Sequence, residues 1–150
     1  MSDSNLIAES AGAAGATARY SIGIDLGTTH CALSYVDRSA SDGDTVAQGV
    51  LDIPQLTGPA SVDAKPLLPS FLYLPHESEL THADMALPWG ASDGYVVGEF
   101  ARSRGAATPI RLVSSAKSWL CHPGVDRRAP LLPADAPAEV PRVSPLTASI

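Results

Sequence analysis

Asp25-Leu26-Gly27-Thr28-Thr29 is the stretch whose residue types and spacing suit chemistry. A glycine at position 27 opens backbone conformations closed to residues with a Cβ and lets a ligand approach the main chain. Thr28 and Thr29 add hydroxyls, and the amides of residues 27–30 can converge on an anion as a backbone nest. Asp25 alone would repel that anion. The two belong together when a divalent cation lies between them, most simply Mg²⁺ held through its water shell. The residues therefore predict a Mg-phosphate site, with Asp25 toward the metal and Gly27, Thr28, Thr29 and His30 toward the phosphates. The other reading of Asp25 is a strand-end carboxylate that caps its own turn.

Positioning such a site requires a stiff support on each side of the turn. Residues 20–37 place two apolar, β-branched runs around it, the pattern of a strand, a tight turn and a returning strand. Around this hairpin, residues 1–18 read as a flexible tail rich in Ala, Gly and Ser, and 38–44 as a polar turn. Residues 45–56 predict a third strand, and 57–65 a loop marked by Gly58 and Pro59. Pro69 opens residues 70–74, an apolar run suited to a strand buried on both faces. Residues 75–94 predict an irregular loop with Trp89 as its packing anchor. A short strand at 95–97 is broken by Gly98, and 99–106 predict a helix. A second helix is expected over 111–120, with Leu112, Ala116 and Trp119 on one buried face, stopped by Pro123-Gly124. Five prolines within 129–145 exclude a regular helix or central strand there. Ser144-Pro145 then reads as an N-cap and first helical position of an amphipathic helix.

A chain of 150 residues with 45% hydrophobic residues can bury one core, and a net charge of −6 makes no electrostatic case for nucleic acid. No window approaches the long uncharged apolar run of a membrane span. Asp3 and Glu9 stand where a secretory signal would have a basic and then an apolar region, so the cytoplasm is the expected compartment. Two cysteines fit a reducing compartment. His30-Cys31 and Cys121-His122 invite a zinc reading, but adjacent strand residues point to opposite faces, and no metal is expected there. Cys31 reads as a small core residue.

The hairpin motif, G-I-D-L-G-T-T followed by a polar residue and C-A-L, resembles the first phosphate motif of the Hsp70 chaperones, within the actin, sugar-kinase and Hsp70 ATPase superfamily. Leu68-Pro69-Ser70-Phe71-Leu72 resembles the family's T-P-S strand, and Val97-Gly98-Glu99-Phe100-Ala101-Arg102 its V-G-x-x-A-K. Ala116-Lys117-Ser118-Trp119-Leu120 resembles the family's A-K-R-L-I. These matches fall in family order. The resemblance implies an α/β fold, an incomplete ribonuclease-H-like, actin-like ATPase lobe over 19–150. Its sheet would be mixed, with an N-terminal β-hairpin and flanking helices. Implied cofactors are ATP and Mg²⁺, and implied partners are unfolded client proteins and co-chaperones, with no nucleic acid or membrane.

Site roles follow from the same resemblance. Asp25 would hold Mg²⁺ through water, the amides of Thr28, Thr29 and His30 would contact phosphates, and the Thr28 hydroxyl would sit near the terminal phosphate. Arg102 would stand where the family has a lysine that orients the attacking water or stabilises the transferring phosphoryl group. Arg keeps the charge but presents a planar fork of donors. A solvated helix charge, with the match sliding to Arg104, is the other reading. Ser70 lies either close to the nucleotide cleft or merely at the end of a turn. The family's second phosphate loop and peptide-binding domain would lie beyond Ile150, so these residues alone are expected to show no turnover. Alternatives are a carbohydrate kinase of the same superfamily, a non-hydrolysing nucleotide-sensing scaffold, and an inactive truncated remnant.

Overall fold

Alternating apolar residues on both sides of the 27–29 turn fold back on each other. In the computed structural model, which describes residues 18–90 and 92–149, β1 (Tyr20–Leu26) and β2 (His30–Asp37) pair antiparallel. Their register is unbroken, from Tyr20 opposite Asp37 to Leu26 opposite Cys31. The expected tail lies outside the described residues except for Ala18. At the open end of the hairpin Arg19 donates to the Asp37 carboxylate at 2.8 Å, and Ser39 donates its amide and hydroxyl to it. Those bonds hold the Asp37 carboxyl well below the usual carboxylate range. On the other side of β2 lie β3 (Gln48–Val50) and, beside the turn, a two-residue strand (Leu68–Pro69).

Two expectations for the following residues are corrected. Residues 45–56 are not one strand: β3 joins the hairpin sheet, while β4 (Ile53–Gly58) leaves it to pair with β5 (Ser61–Lys65). Residues 57–65, expected as loop, supply that partner strand. Gly58-Pro59-Ala60 is the reversal itself, with Ala60 at φ 52°, and the Leu56–Val62 pair packs across it. The turn signals were real, but they marked the tip of a hairpin whose second strand alternates too weakly to announce itself. Numbered in chain order, Leu68–Pro69 is β6.

β7 (Phe71–Tyr73) runs between β8 (Val96–Val97) and β9 (Leu112–Ser114), so both its edges are paired, and packed side chains cover both its faces. That explains an apolar run without alternation, as expected for 70–74. Tyr73 enters a core with Leu56, Met85, Val96, Phe100 and Ala101, while Leu72 and Leu74 meet Val113, Ala116 and Leu132 on the opposite face. The helix predicted after Gly98 forms as α1 (Glu99–Ala107) and buries Phe100, Ala101 and Gly105. Its start is set by Gln55, which is 2% exposed. Gln55 Oε1 accepts the Glu99 amide at 3.0 Å while its Nε2 donates to the Leu67 carbonyl at 2.9 Å. Gly98 has φ 78°, and a Cβ there would lie 2.8 Å from Gln55 Oε1, so the turn into α1 needs glycine.

The helix expected over 111–120 is also corrected. A short 3-10 turn ends at Arg111, Leu112–Ser114 is β9, and only Ala116–Trp119 is helical, as α2. Sheet pairing of Val113 with Leu72 outweighs the helical spacing, and Ser115 at φ 54° turns the chain between the two elements. Residues 129–145 carry only the isolated Leu132–Val143 bridge. Ser144 Oγ accepts the Thr147 amide at 3.0 Å, as an N-cap would, but among the described residues only the single 3-10 turn Thr147–Ser149 follows. Among the described residues every strand pairing is antiparallel, so the expected mixed sheet is replaced by antiparallel sheets in an α/β fold with few, short helices. Among the described residues no helix is long and apolar enough to cross a membrane.

The described residues of 75–94 form turns without strands or helices, as expected, but Trp89 is 66% exposed and is not their anchor. Leu80, Met85 and Leu87 pack inward instead. Polar anchoring comes from Glu79, which accepts the buried Tyr73 hydroxyl at 2.9 Å and the His76 amide at 3.2 Å, and pairs with Arg104. Burial pushes the Glu79 carboxyl up, while the bonds from Arg104, Tyr73 and His76 pull it down by more, so it sits below its ordinary value. A depressed folded value gives stability that is present above the unfolded carboxyl range, about 4.3, and lost as pH falls through the folded value. In urea titrations Glu79→Gln should therefore be destabilising at neutral pH. That deficit should shrink once the pH falls below about 4. A deficit of constant size from neutral to acid pH would show that the Glu79 charge contributes nothing.

Candidate functional site at the hairpin turn

The turn between β1 and β2 needs Gly27 for space rather than for unusual torsions. A Cβ at that position would lie 2.5 Å from the His30 carbonyl oxygen and 3.7 Å from Asp25 Oδ1. The second distance also places the Asp25 carboxylate beside the turn. Asp25, Thr28 and Thr29 are exposed, and the amides of Thr28 and Thr29 have no partner among the described residues. The structure thus gathers the contiguous residues Asp25, Gly27, Thr28, Thr29 and His30 at one end of the sheet.

Beneath the turn sits Ser70, between β6 and β7. Its hydroxyl donates to the Gly27 carbonyl at 2.8 Å, and its amide donates to the Thr29 carbonyl at 2.9 Å. The N–H and C=O of a trans peptide point in opposite directions. Pinning the Gly27 carbonyl against Ser70 therefore aims the Thr28 amide away from it, the orientation a nest requires. From the first turn of α2, Lys117 Nζ donates to Ser70 Oγ at 3.2 Å and to Cys31 Sγ at 3.4 Å. Cys31 is thus half-buried against a cation, not simply packed among apolar groups as expected. Of the two readings of Ser70, the one close to the turn describes its contacts.

Arg102 is placed differently from its expected role. It lies on α1, where its guanidinium bonds both Glu99 oxygens at 2.8 and 2.9 Å, and no contact among the described residues joins it to the turn. Arg104, the alternative, is held by Glu79. The cation brought to the turn is Lys117. Sequence reasoning included it in a match but gave it no chemistry. The available signal was that Lys117 is the one charged residue in 112–121. A lone ammonium beside a buried face needs a partner, here reached from 47 residues away.

The donors at the turn suit a hard, hydrated cation. One carboxylate and two threonine hydroxyls are oxygen ligands, and Mg²⁺ keeps several waters and takes the rest of its shell from phosphates. Among the described residues no three His, Cys, Asp or Glu side chains converge as a closed metal cage. Comparison with family models, curated proteins and solved structures finds no match to the chain.

Ser70→Ala removes the hydroxyl that links Lys117 to Gly27 and leaves the Ser70 amide bond in place. Each such bond contributes about 0.5–1.5 kcal/mol net, so the variant should lose roughly 1–2 kcal/mol in urea unfolding. Hydrogen exchange of the Ala32 amide beside the turn should accelerate more than that of the Val36 amide. Equal acceleration of both would mean that Ser70 does not brace the turn.

Proposed function

We propose that the chain is the N-terminal ATPase-lobe portion of an Hsp70-like molecular chaperone, of the actin-like ATPase type, holding the phosphates of Mg-ATP at Asp25-Leu26-Gly27-Thr28-Thr29. The observation that carries this reading is the braced turn: amides free on its outer side, a carboxylate beside it, and the Lys117 ammonium fixed below it through Ser70. An anion at the Thr28 and Thr29 amides and a hydrated Mg²⁺ at Asp25 neutralise each other, which neither group could achieve alone. Lys117 is held on the Ser70 side of the turn, opposite the free amides, so it braces the turn and lends it positive charge from beneath, while Arg102, to which the resemblance gave the catalytic part, is paired with Glu99. Client proteins and co-chaperones, and a cytoplasmic location, belong to the same proposal.

One wall of a cleft binds weakly, on the order of millimolar, or about 4 kcal/mol. Titration with Mg-ATP should shift the Gly27, Thr28, Thr29 and His30 amide resonances, and chelating the Mg²⁺ should reverse most of the shift. Asp25→Asn should weaken the Mg²⁺-dependent part about tenfold or more while leaving the remaining spectrum in place. Shifts confined to another surface, or an Asp25→Asn variant that responds as the parent does, would refute the assignment.

A further inference from the structure

Beneath the turn, three polar atoms from distant parts of the chain meet. Lys117 Nζ lies 3.4 Å from Cys31 Sγ and 3.2 Å from Ser70 Oγ, and the sulfur is 3.6 Å from the same hydroxyl. The fold makes this cluster: Cys31 stands opposite Leu68 in the pairing of β2 with β6, and α2 delivers Lys117 from 86 residues away. Both residues are half-buried. Bracing of the turn uses the Ser70 hydroxyl and amide and makes no use of the sulfur. Cys121, the other thiol, is exposed, and among the described residues its sulfur has no hydrogen bond.

A thiol and an amine in contact join once the sulfur is oxidised, because a sulfenic acid condenses with a neighbouring nitrogen to a sulfenamide. We infer that Cys31 and Lys117 are a redox switch in which hydrogen peroxide joins Sγ to Nζ as a sulfenamide that thiols reopen. The Cys31 thiolate gives an electron pair to one peroxide oxygen, the O–O bond breaks, and the departing hydroxide takes a proton from the Lys117 ammonium and leaves as water. A sulfenic acid then stands beside a neutral amine. The Nζ lone pair attacks the sulfur, the S–O bond breaks, and the hydroxide leaves as water with a proton from nitrogen. Thiolate, ammonium and peroxide thus give one S–N bond and two waters, the sulfur oxidised and the peroxide reduced. Two equivalents of a small thiol restore thiol and amine and leave as a disulfide.

The bond ties the hairpin covalently to α2 and removes the positive charge at Nζ. Peroxide is small enough to reach a half-buried sulfur, so the reaction asks for no open surface. For the phosphate site proposed above, a charge beneath the turn is lost on oxidation. That consequence rests on the phosphate reading; the bond itself does not, and it is read without nucleotide.

Mass spectrometry of the whole chain carrying Cys121→Ser, treated with peroxide, tests the bond directly, because no intramolecular disulfide can then form. A loss of two hydrogens that dithiothreitol restores is expected. In a tryptic digest residues 20–38 should be joined to 112–127, since trypsin does not cut after a substituted Lys117. Lys117→Arg in the same background keeps the charge but offers no nucleophilic amine, so Cys31 should gain oxygen instead and be trapped by dimedone. Three results would each overturn the inference: oxygen gained at Cys31 without the joined peptides, the same loss of two hydrogens in a folded Lys117→Arg variant, or a Cys31 left intact by peroxide that oxidises Cys121 in the parent chain.

Discussion

Ser70 joins two sheets through two bonds and a third that it receives. Its amide and hydroxyl hold the carbonyls at both ends of the 27–29 turn, and its hydroxyl oxygen accepts Lys117. Because Ser70 lies between β6, paired to the hairpin, and β7, central in the other sheet, the turn is fixed to the best-buried strand of the molecule. Without that link the turn would rest only on its own two strands and the two-residue pairing of β6 with β2, a small support for an exposed tip. With it, the outward amides are already oriented, and a ligand need not meet the entropy of ordering them.

The rest of the architecture keeps Ser70 and Lys117 within reach of each other. Gln55 ties β4 to the Leu67 carbonyl just before β6 and to the first amide of α1. Leaving either of those groups buried and unpaired would cost about 1–3 kcal/mol, comparable to a sizeable part of a domain's net stability. α1 packs on β7, β7 pairs with β9, and the left-handed Ser115 delivers Lys117 from the end of β9. The exposed residues of the hairpin are therefore supported by interactions that lie almost wholly outside it.

Legibility followed the range of the interactions involved. The hairpin was readable because two apolar runs flank a short Gly-Thr-Thr turn, and the paired residues lie close in the chain. The 70–74 strand was readable for a similar reason, since a run buried on both faces shows its apolar character directly. Residues 111–120 were misread because Leu112, Ala116 and Trp119 satisfy helical spacing, while the pairing of Val113 with Leu72 depends on a strand forty-one positions earlier. β5 was hidden because Asp63 and Lys65 leave Val62 almost alone as an apolar signal. The same division holds for the site. Asp25 to His30 are contiguous and were recognised as a group. Ser70 and Lys117 join them only through packing, and Arg102 was credited with a charge that its own helix neighbour Glu99 already uses.

The central claim is that a divalent cation and a phosphate meet at this turn. Replacing Mg²⁺ by paramagnetic Mn²⁺ in the presence of ADP tests the location most directly, because relaxation enhancement falls off steeply with distance from the ion. The account predicts that the broadened amides centre on Asp25, Gly27, Thr28 and Thr29, that broadening needs the nucleotide, and that excess Mg²⁺ reverses it. Broadening centred on the acidic turn of Asp42 and Asp44, or the same pattern with Mn²⁺ alone, would contradict it.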